Sequence, residues 1–362
     1  MTHSPGGNLL QHCTADQIHA QLDWPTLAAT LTAAFIHPPA VPTRHAHTLR
    51  PPGTSTAGGG PDAGPDANGK TAADILLLMP AWNTRYIGLK LVTVIPDAPR
   101  HGGRTVDASY LLLDRATGAP RLLLDGEALT VRRTAATSAV AARALARPGA
   151  HTLLVVGTGR LAPWMARAHC ALQPTIRQVL VWGRDPARAA ATAAEVAGQL
   201  RADSQVDSQV GHGGMRHHMP AVESVESLES ACRRAHIITC ATTASTPVIQ
   251  GAWLEPGVHL DLVGAFTPDM REVDDLAVQR AQVFVDDYPA ALREAGDLVQ
   301  PLASGAIDRD HLRADLGELL RGTRPGRRTP DDITLFKSVG HALEDLAAAA
   351  LIFERLAIPN PT

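Results

Sequence analysis

At 362 residues the chain exceeds the roughly 250 to 300 residues over which one hydrophobic core keeps growing, so two domains are expected. Its 33 basic and 36 acidic side chains leave a net charge of −3, which excludes a general electrostatic pull toward nucleic acid or anionic lipid, and no apolar run approaches the roughly 20 residues of a membrane span. The four cysteines, Cys13, Cys170, Cys232 and Cys240, follow no metal or disulfide spacing, and the first residues carry no basic-then-apolar leader pattern, so a soluble cytoplasmic protein with reduced thiols is expected.

Thr14 to Gln17 (TADQ) reads as a capping box that opens a helix, and WPTLAATLTAAFI reads as a second helix. Pro38, Pro39 and Pro42 then force extended chain around VPTRHAHTL. Residues 51–72, rich in Pro, Gly and Asp, read as a flexible surface insertion. From Ile75 to Leu129 short apolar runs separated by Gly, Pro and Asp predict an antiparallel sheet of hairpins, followed by the Ala-rich helix ALTVRRTAATSAVAARALA.

Beyond residue 150 the pattern alternates. Strand candidates at 151–156, 179–182, 236–242, 259–264 and 283–287 are separated by helical segments, the signature of a doubly wound parallel sheet. Residues 203–220 read as a surface loop with a His-rich tip. Metal binding there by His212, His217 and His218 is not favoured, because the stretch lacks a rigid scaffold and a nearby acidic or thiolate ligand. The segment TLFKSVGHALEDLAAAALIFERL reads as one long amphipathic helix, beginning near Lys337, Ser338, Val339 and Gly340.

The stretch LLVVGTGRLAP places Gly157, Thr158, Gly159, Arg160 and Leu161 where a strand turns into a helix. Gly157 permits the tight turn, Gly159 lets a pyrophosphate approach the backbone, and Ala162 allows close helix–sheet packing, so a dinucleotide site is expected. At the end of the next strand, Trp182 and Gly183 lead to Arg184 instead of the acid that binds a ribose 2′-hydroxyl. A guanidinium there suits a 2′-phosphate, so NADPH is preferred over NADH, while Asp185 and Pro186 read as N-cap and first helical residue. Thr242, Thr243, Val263 and Gly264 follow later strands and are weaker coenzyme candidates, as is Thr137, whose hydroxyl either touches phosphate or satisfies a helix carbonyl. Among cations of the first half, Arg44, Lys90 and Arg133 interrupt apolar or structured contexts, and Lys90 stands mid-strand, where an unpaired buried ammonium is costly.

The ordered set GLKLV, LLLDGEALTVRRTAATSAVAARALA, LLVVGTGRLA, VWGRDPAR, LDLVGAFTPDMREVDD and ITLFKSVGHALEDL resembles the ornithine cyclodeaminase and mu-crystallin family over nearly the whole chain except the two insertions. The resemblance implies a Rossmann domain (148–329) and an α+β substrate-binding and dimerisation domain (1–147 with 330–362) completed by the C-terminal helix, in a homodimer. It also implies that Arg44, Lys90 and Arg133 bind the substrate carboxylate, and that the site closes beside the coenzyme at the helix start by Lys337.

The family includes cyclodeaminases, alanine dehydrogenases, opine-type synthases, ketimine reductases and non-catalytic NADPH-dependent binding proteins. Its cyclodeaminases carry an Asp where this chain has Phe266, and a phenyl ring neither binds an ammonium as a carboxylate does nor relays its proton. Asp269, three residues on, belongs to the TPDMRE pattern that resembles the family's reductases and is not a substitute base. The implied activity is therefore NAD(P)H-dependent reduction of a cyclic imino acid, Δ1-pyrroline-2-carboxylate to L-proline or Δ1-piperideine-2-carboxylate to L-pipecolate, with Phe266 against the substrate ring. Ornithine cyclodeaminase, an alanine or opine-type dehydrogenase, and a binding protein remain the alternatives.

Overall fold

The computed structural model describes residues 10–49, 74–209 and 219–357, and these form two compact units. The expected insertion at 51–72 and the histidines of the 203–220 segment lie outside the described residues. The first unit comprises residues 1–23, 38–130 and 342–362, and the second residues 24–37 and 131–341. These bounds differ from the expected domains in placing 24–37, 131–147 and 330–341 with the parallel sheet. The clearest physical reason is a strand at 333–337 that pairs inside that sheet.

In the first unit a six-stranded sheet runs in the order β1-β6-β5-β4-β3-β2, from β1 (Gln11–Cys13), β2 (His45–Thr48), β3 (Ile75–Trp82), β4 (Tyr86–Val94), β5 (Val106–Asp114) and β6 (Pro120–Asp125). β2 to β6 pair antiparallel, as the hairpin pattern predicts, and β1 joins β6 in parallel. The Thr14 capping box is present at the start of α1 (Ala15–Gln21). Because side chains alternate across a strand, Met79, Lys90, Tyr110 and Leu124 share one buried face, against which the C-terminal helix (Ala342–Ala357) packs. The other face carries Leu89, Leu111 and Leu123 in register, half-exposed, with half-exposed Leu78 paired to exposed Leu91 and exposed Trp82 further along the strand of Leu78.

The second unit begins with α2 (Trp24–Ile36) and takes α3 (Gly126–Leu145) from Val131 onward. Its eight strands are β7 (Thr152–Val156), β8 (Gln178–Trp182), β9 (Ala221–Ser224), β10 (Ile237–Cys240), β11 (His259–Leu262), β12 (Ala281–Val285), β13 (Leu312–Asp315) and β14 (Ile333–Lys337). All pair in parallel, in the order β13-β12-β14-β11-β10-β7-β8-β9, which is the expected doubly wound architecture. The long helix read from TLFK onward is corrected: Ile333–Lys337 is fully buried strand wedged between β11 and β12, and the helix begins at Ala342. β9 and β13 at the two sheet edges also escaped the sequence reading, being four residues each with few apolar positions.

Residues 203–209 are likewise not loop. They end the long helix α5 (Pro186–Gln209), in which Asp203 accepts from Nε and Nη2 of Arg167 at 2.8 and 2.7 Å. Arg167, from α4 (Leu161–Leu172), lies over the ring of Trp164, and buried Arg132 lies 3.8 Å from the ring centroid of Trp24. These cation–π contacts tie α2, α3 and α4 together.

Two histidines at the amino ends of the central strands are held neutral. Burial pushes His236 down to about 4 and His259 down to about 3, against an ordinary 6.5. The unfolded chain takes up these protons below pH 6.5 while the folded one refuses them, so their contribution to stability is full above that pH and is lost as pH falls toward 3. Thermal unfolding across this range is expected to show a falling midpoint, and His259→Gln to flatten the slope.

Candidate active site

β7 and β10 are neighbours in the sheet although β8 and β9 lie between them in sequence, so the strand order reverses there. The crevice beyond the carboxyl ends of strands at such a point is where open α/β sheets hold ligands. Gly157 stands at this place with φ +121°, and a Cβ on it would meet the Ala241 carbonyl oxygen at 2.8 Å, so only glycine suits the turn. α4 follows with Arg160 at its N-cap contributing no side-chain cap; the Ala162 amide donates to the Gly159 carbonyl at 3.0 Å and Pro163 has no amide, which leaves the Leu161 amide as the donor of the helix start. Ahead of Gly159, its chain neighbours aside, no atom of the described residues lies within 4 Å of a Cβ position. The Leu161 amide, the positive end of the helix dipole and a clear approach fit a pyrophosphate, and Thr158 belongs to the same turn.

β8 delivers Trp182, Gly183 and Arg184 beside this turn. The Thr158 methyl lies against Gly183, and Trp182 Nε1 donates to the Glu226 carbonyl at 3.2 Å. Arg184 is exposed. Asp185 accepts from the amides of Ala187 and Arg188 at 2.9 and 3.3 Å, the expected cap of α5.

The loops after β10 and β11 are held from beneath by a cluster that sequence reasoning missed. Glu272, fully buried, accepts through Oε1 from the Thr242 amide at 2.8 Å and hydroxyl at 2.9 Å, and through Oε2 from the Gly264 amide at 2.7 Å. Asp297 Oδ1 in turn accepts from the Glu272 amide at 2.8 Å, and the Lys337 ammonium lies 3.0 Å from Asp297 Oδ2 and 3.8 Å from Glu272 Oε2. Burial raises the Glu272 carboxyl, against the pull of Lys337.

Lys337, expected at a helix start beside the coenzyme, is thus the fully buried counter-ion of two carboxylates at the end of β14. Gly264 packs so tightly that a Cβ would stand 2.0 Å from the Thr242 carbonyl oxygen. Val263 is buried next to it, and Thr243 and Phe266 are exposed, the latter 49%. Asp269 accepts from the Thr267 hydroxyl at 2.6 Å.

Arg133 is buried on α3 with its guanidinium resting against the backbone of Gly340. That loop is fixed by Asp286, whose Oδ2 accepts from the Ser338 hydroxyl and the amides of Val339 and Gly340 at 2.9, 2.8 and 2.8 Å. The Thr137 hydroxyl is buried with no hydrogen-bond partner among the described residues, so the bond to a helix carbonyl is not made.

In the first unit Lys90 is only 4% exposed. Its ammonium donates to Thr130 Oγ1 at 2.6 Å and to Asp345 Oδ1 at 3.2 Å, the carboxylate coming from the apolar face of the C-terminal helix. Asp345 had a signal in the sequence, an acid among the alanines of ALEDLAAAA, since a buried carboxylate needs a cation. Arg44 is half-buried just before β2. Among the described residues no cluster of His, Cys, Asp and Glu suits a metal, and no helix is long and apolar enough to cross a membrane.

Comparison with known proteins agrees with this architecture. A Δ1-pyrroline-2-carboxylate reductase of Colwellia psychrerythraea is 34% identical, over 95% of this chain and 98% of its own. That of Paracoccus denitrificans is 38% identical, over 73% and 78%. The solved structure of Thermococcus litoralis Δ1-pyrroline-2-carboxylate reductase in complex with NADH and L-proline superposes with a TM-score of 0.79 at 29% identity, covering 96% of this chain and 97% of that one. Residues 62–358 match the ornithine cyclodeaminase/mu-crystallin family, and the chain belongs to it.

Proposed function

We propose that the protein is a nicotinamide-dependent reductase of cyclic imino acids, converting Δ1-pyrroline-2-carboxylate to L-proline and Δ1-piperideine-2-carboxylate to L-pipecolate. The observation that carries this reading is Lys90, an ammonium buried mid-strand and fixed by Asp345 and Thr130, an expensive arrangement for a merely structural cation. The similarity to the two bacterial reductases supports the same conclusion.

Arg44, Lys90 and Arg133 are the proposed ligands of the substrate carboxylate. Their positive charge holds the anion and leaves the ring to apolar contact, to which Phe266 contributes. Gly157, Thr158, Gly159, Arg160 and Leu161 hold the coenzyme pyrophosphate, Trp182, Gly183 and Arg184 with Thr242 and Thr243 its adenosine side, and Val263 and Gly264 the nicotinamide side. When bound, the reduced nicotinamide supplies the hydride. Ammonia loss needs a carboxylate where Phe266 stands, so cyclodeamination is not the activity proposed.

The test is nicotinamide absorbance with Δ1-pyrroline-2-carboxylate beside an ammonia assay on L-ornithine. Coenzyme oxidation without ammonia is expected, and ammonia release with a silent imine overturns the reading.

We further propose that NADPH is preferred, because Arg184 is exposed at the tip of β8 where a 2′-phosphate would lie. Arg184→Ala is then expected to weaken NADPH about tenfold or more and NADH little, as coenzyme titrations would show. Equal losses would remove the argument.

The functional form is proposed to be a homodimer acting in the cytoplasm. The leucine-rich outer face of the six-stranded sheet supports pairing of two copies, and the four free cysteines support a reducing compartment. Leu89→Lys with Leu111→Lys places two charges on that face and is expected to yield monomers in sedimentation analysis.

A further inference from the structure

A cavity of the parallel-sheet unit, about 350 Å³, opens beside the edge strand β13 and its neighbour β12. It is separate from the glycine turn: β10, β11 and β14 stand between β7 and β12, a displacement of about 19 Å at the usual spacing of neighbouring strands. Among the described residues four arginines line it, Arg309, Arg313, Arg324 and Arg328, with Asp310 the one acidic residue beside them.

The cations are poorly neutralised by the protein. Among the described residues Arg309 and Arg328 make no side-chain ion pair, and Arg324 reaches Glu318 only at 4.0 Å. Arg313 is held by neutral groups, donating to Gln282 Oε1 at 2.8 Å and to the Asp310 carbonyl.

The wall that carries Arg324 and Arg328 is built rather than slack. Between them and β14, Arg327 donates to the carbonyl oxygens of Leu145, Pro330, Asp332 and Val258 and to Thr334 Oγ1. Asp332 Oδ2 accepts from the amides of Arg328 and Thr329 at 2.7 and 3.0 Å. Tyr288 and Phe284 complete the cavity, with the Tyr288 hydroxyl bound to Glu318.

In a chain of net charge −3, gathering four arginines around one concavity raises their mutual repulsion, and a counter-anion relieves it. Guanidiniums are the side chains best suited to bind oxyanions in pairs of parallel hydrogen bonds. We propose that this cavity is a binding site for a small multivalent oxyanion, separate from the coenzyme crevice. Phosphate esters and polycarboxylates share this chemistry.

The test is calorimetry on the full chain saturated with NADH, so that the coenzyme's own pyrophosphate site is filled, with inorganic pyrophosphate in one arm and citrate in the other. One anion per chain is expected, with affinity falling steeply as salt is added, and the arm that binds more tightly identifies the source. Arg309→Gln with Arg328→Gln is expected to weaken binding by about tenfold or more for each guanidinium removed, with NADH affinity unchanged. Both side chains are exposed, and Arg324→Gln removes a third cation as an independent check. No heat in either arm, or equal affinity in the variants, overturns the site.

Discussion

Replacing Lys90 by methionine is expected to lower imine reduction by about two to three orders of magnitude while leaving coenzyme binding near that of the parent. The ammonium is the charge proposed to hold the substrate carboxylate, whereas the glycine turn belongs to the other compact unit. The single substitution also removes the ammonium that faces the fully buried Asp345 at 3.2 Å. Breaking a buried pair by removing one partner costs about 3 to 5 kcal/mol, so a loss of rate alone would be ambiguous. Lys90→Met with Asp345→Asn removes both charges and is expected to recover stability without recovering turnover. Steady-state rates, fluorescence titration of the coenzyme and urea unfolding separate the two effects. Parental turnover in the folded double variant would remove Lys90 from the site.

The largest effect on stability is expected from Lys337→Met. It leaves Glu272 and Asp297 buried without the cation that offsets them, a destabilisation of about 3 to 5 kcal/mol by denaturant unfolding. Its pH dependence should be opposite in sign to the histidine effect. Burial already raises the Glu272 carboxyl, and loss of Lys337 raises it further, so the variant should regain stability on mild acidification as a proton replaces the missing charge. Lys337→Met with Asp297→Asn should recover part of the loss. A variant as stable as its parent at neutral pH would mean that the cluster carries no net ionic stabilisation.

The parallel sheet and its glycine turn were legible because both follow local rules: apolar runs at regular spacing, and a glycine pair at a strand end. Helix bounds were legible at Thr14 and Asp185 for the same reason, since a cap is set by residues three apart. TLFK was misread because its apolar residues fit one more turn of the following helix. Only β11 and β12, about 50 to 70 residues earlier in the chain, make it a strand. Lys90 was visible as a charge out of place, but its partner Asp345 lies 255 residues away, and no spacing rule joins them. Glu272, Asp286 and Asp297 were invisible for a related reason. Each sits in an ordinary polar stretch, and what sets it apart is the set of backbone amides that the fold brings to it.

The position of β14 also bears on how the chain is made. Ribosomal synthesis delivers β11 and β12 long before Ile333–Lys337, yet in the finished sheet neither touches the other except through that strand. Until the last tenth of the chain emerges, two buried-type strands flank an empty slot with unsatisfied peptide groups on both edges. A nascent chain stalled before residue 333 would therefore be an aggregation-prone species, and one whose Glu272 and Asp297 still await their lysine.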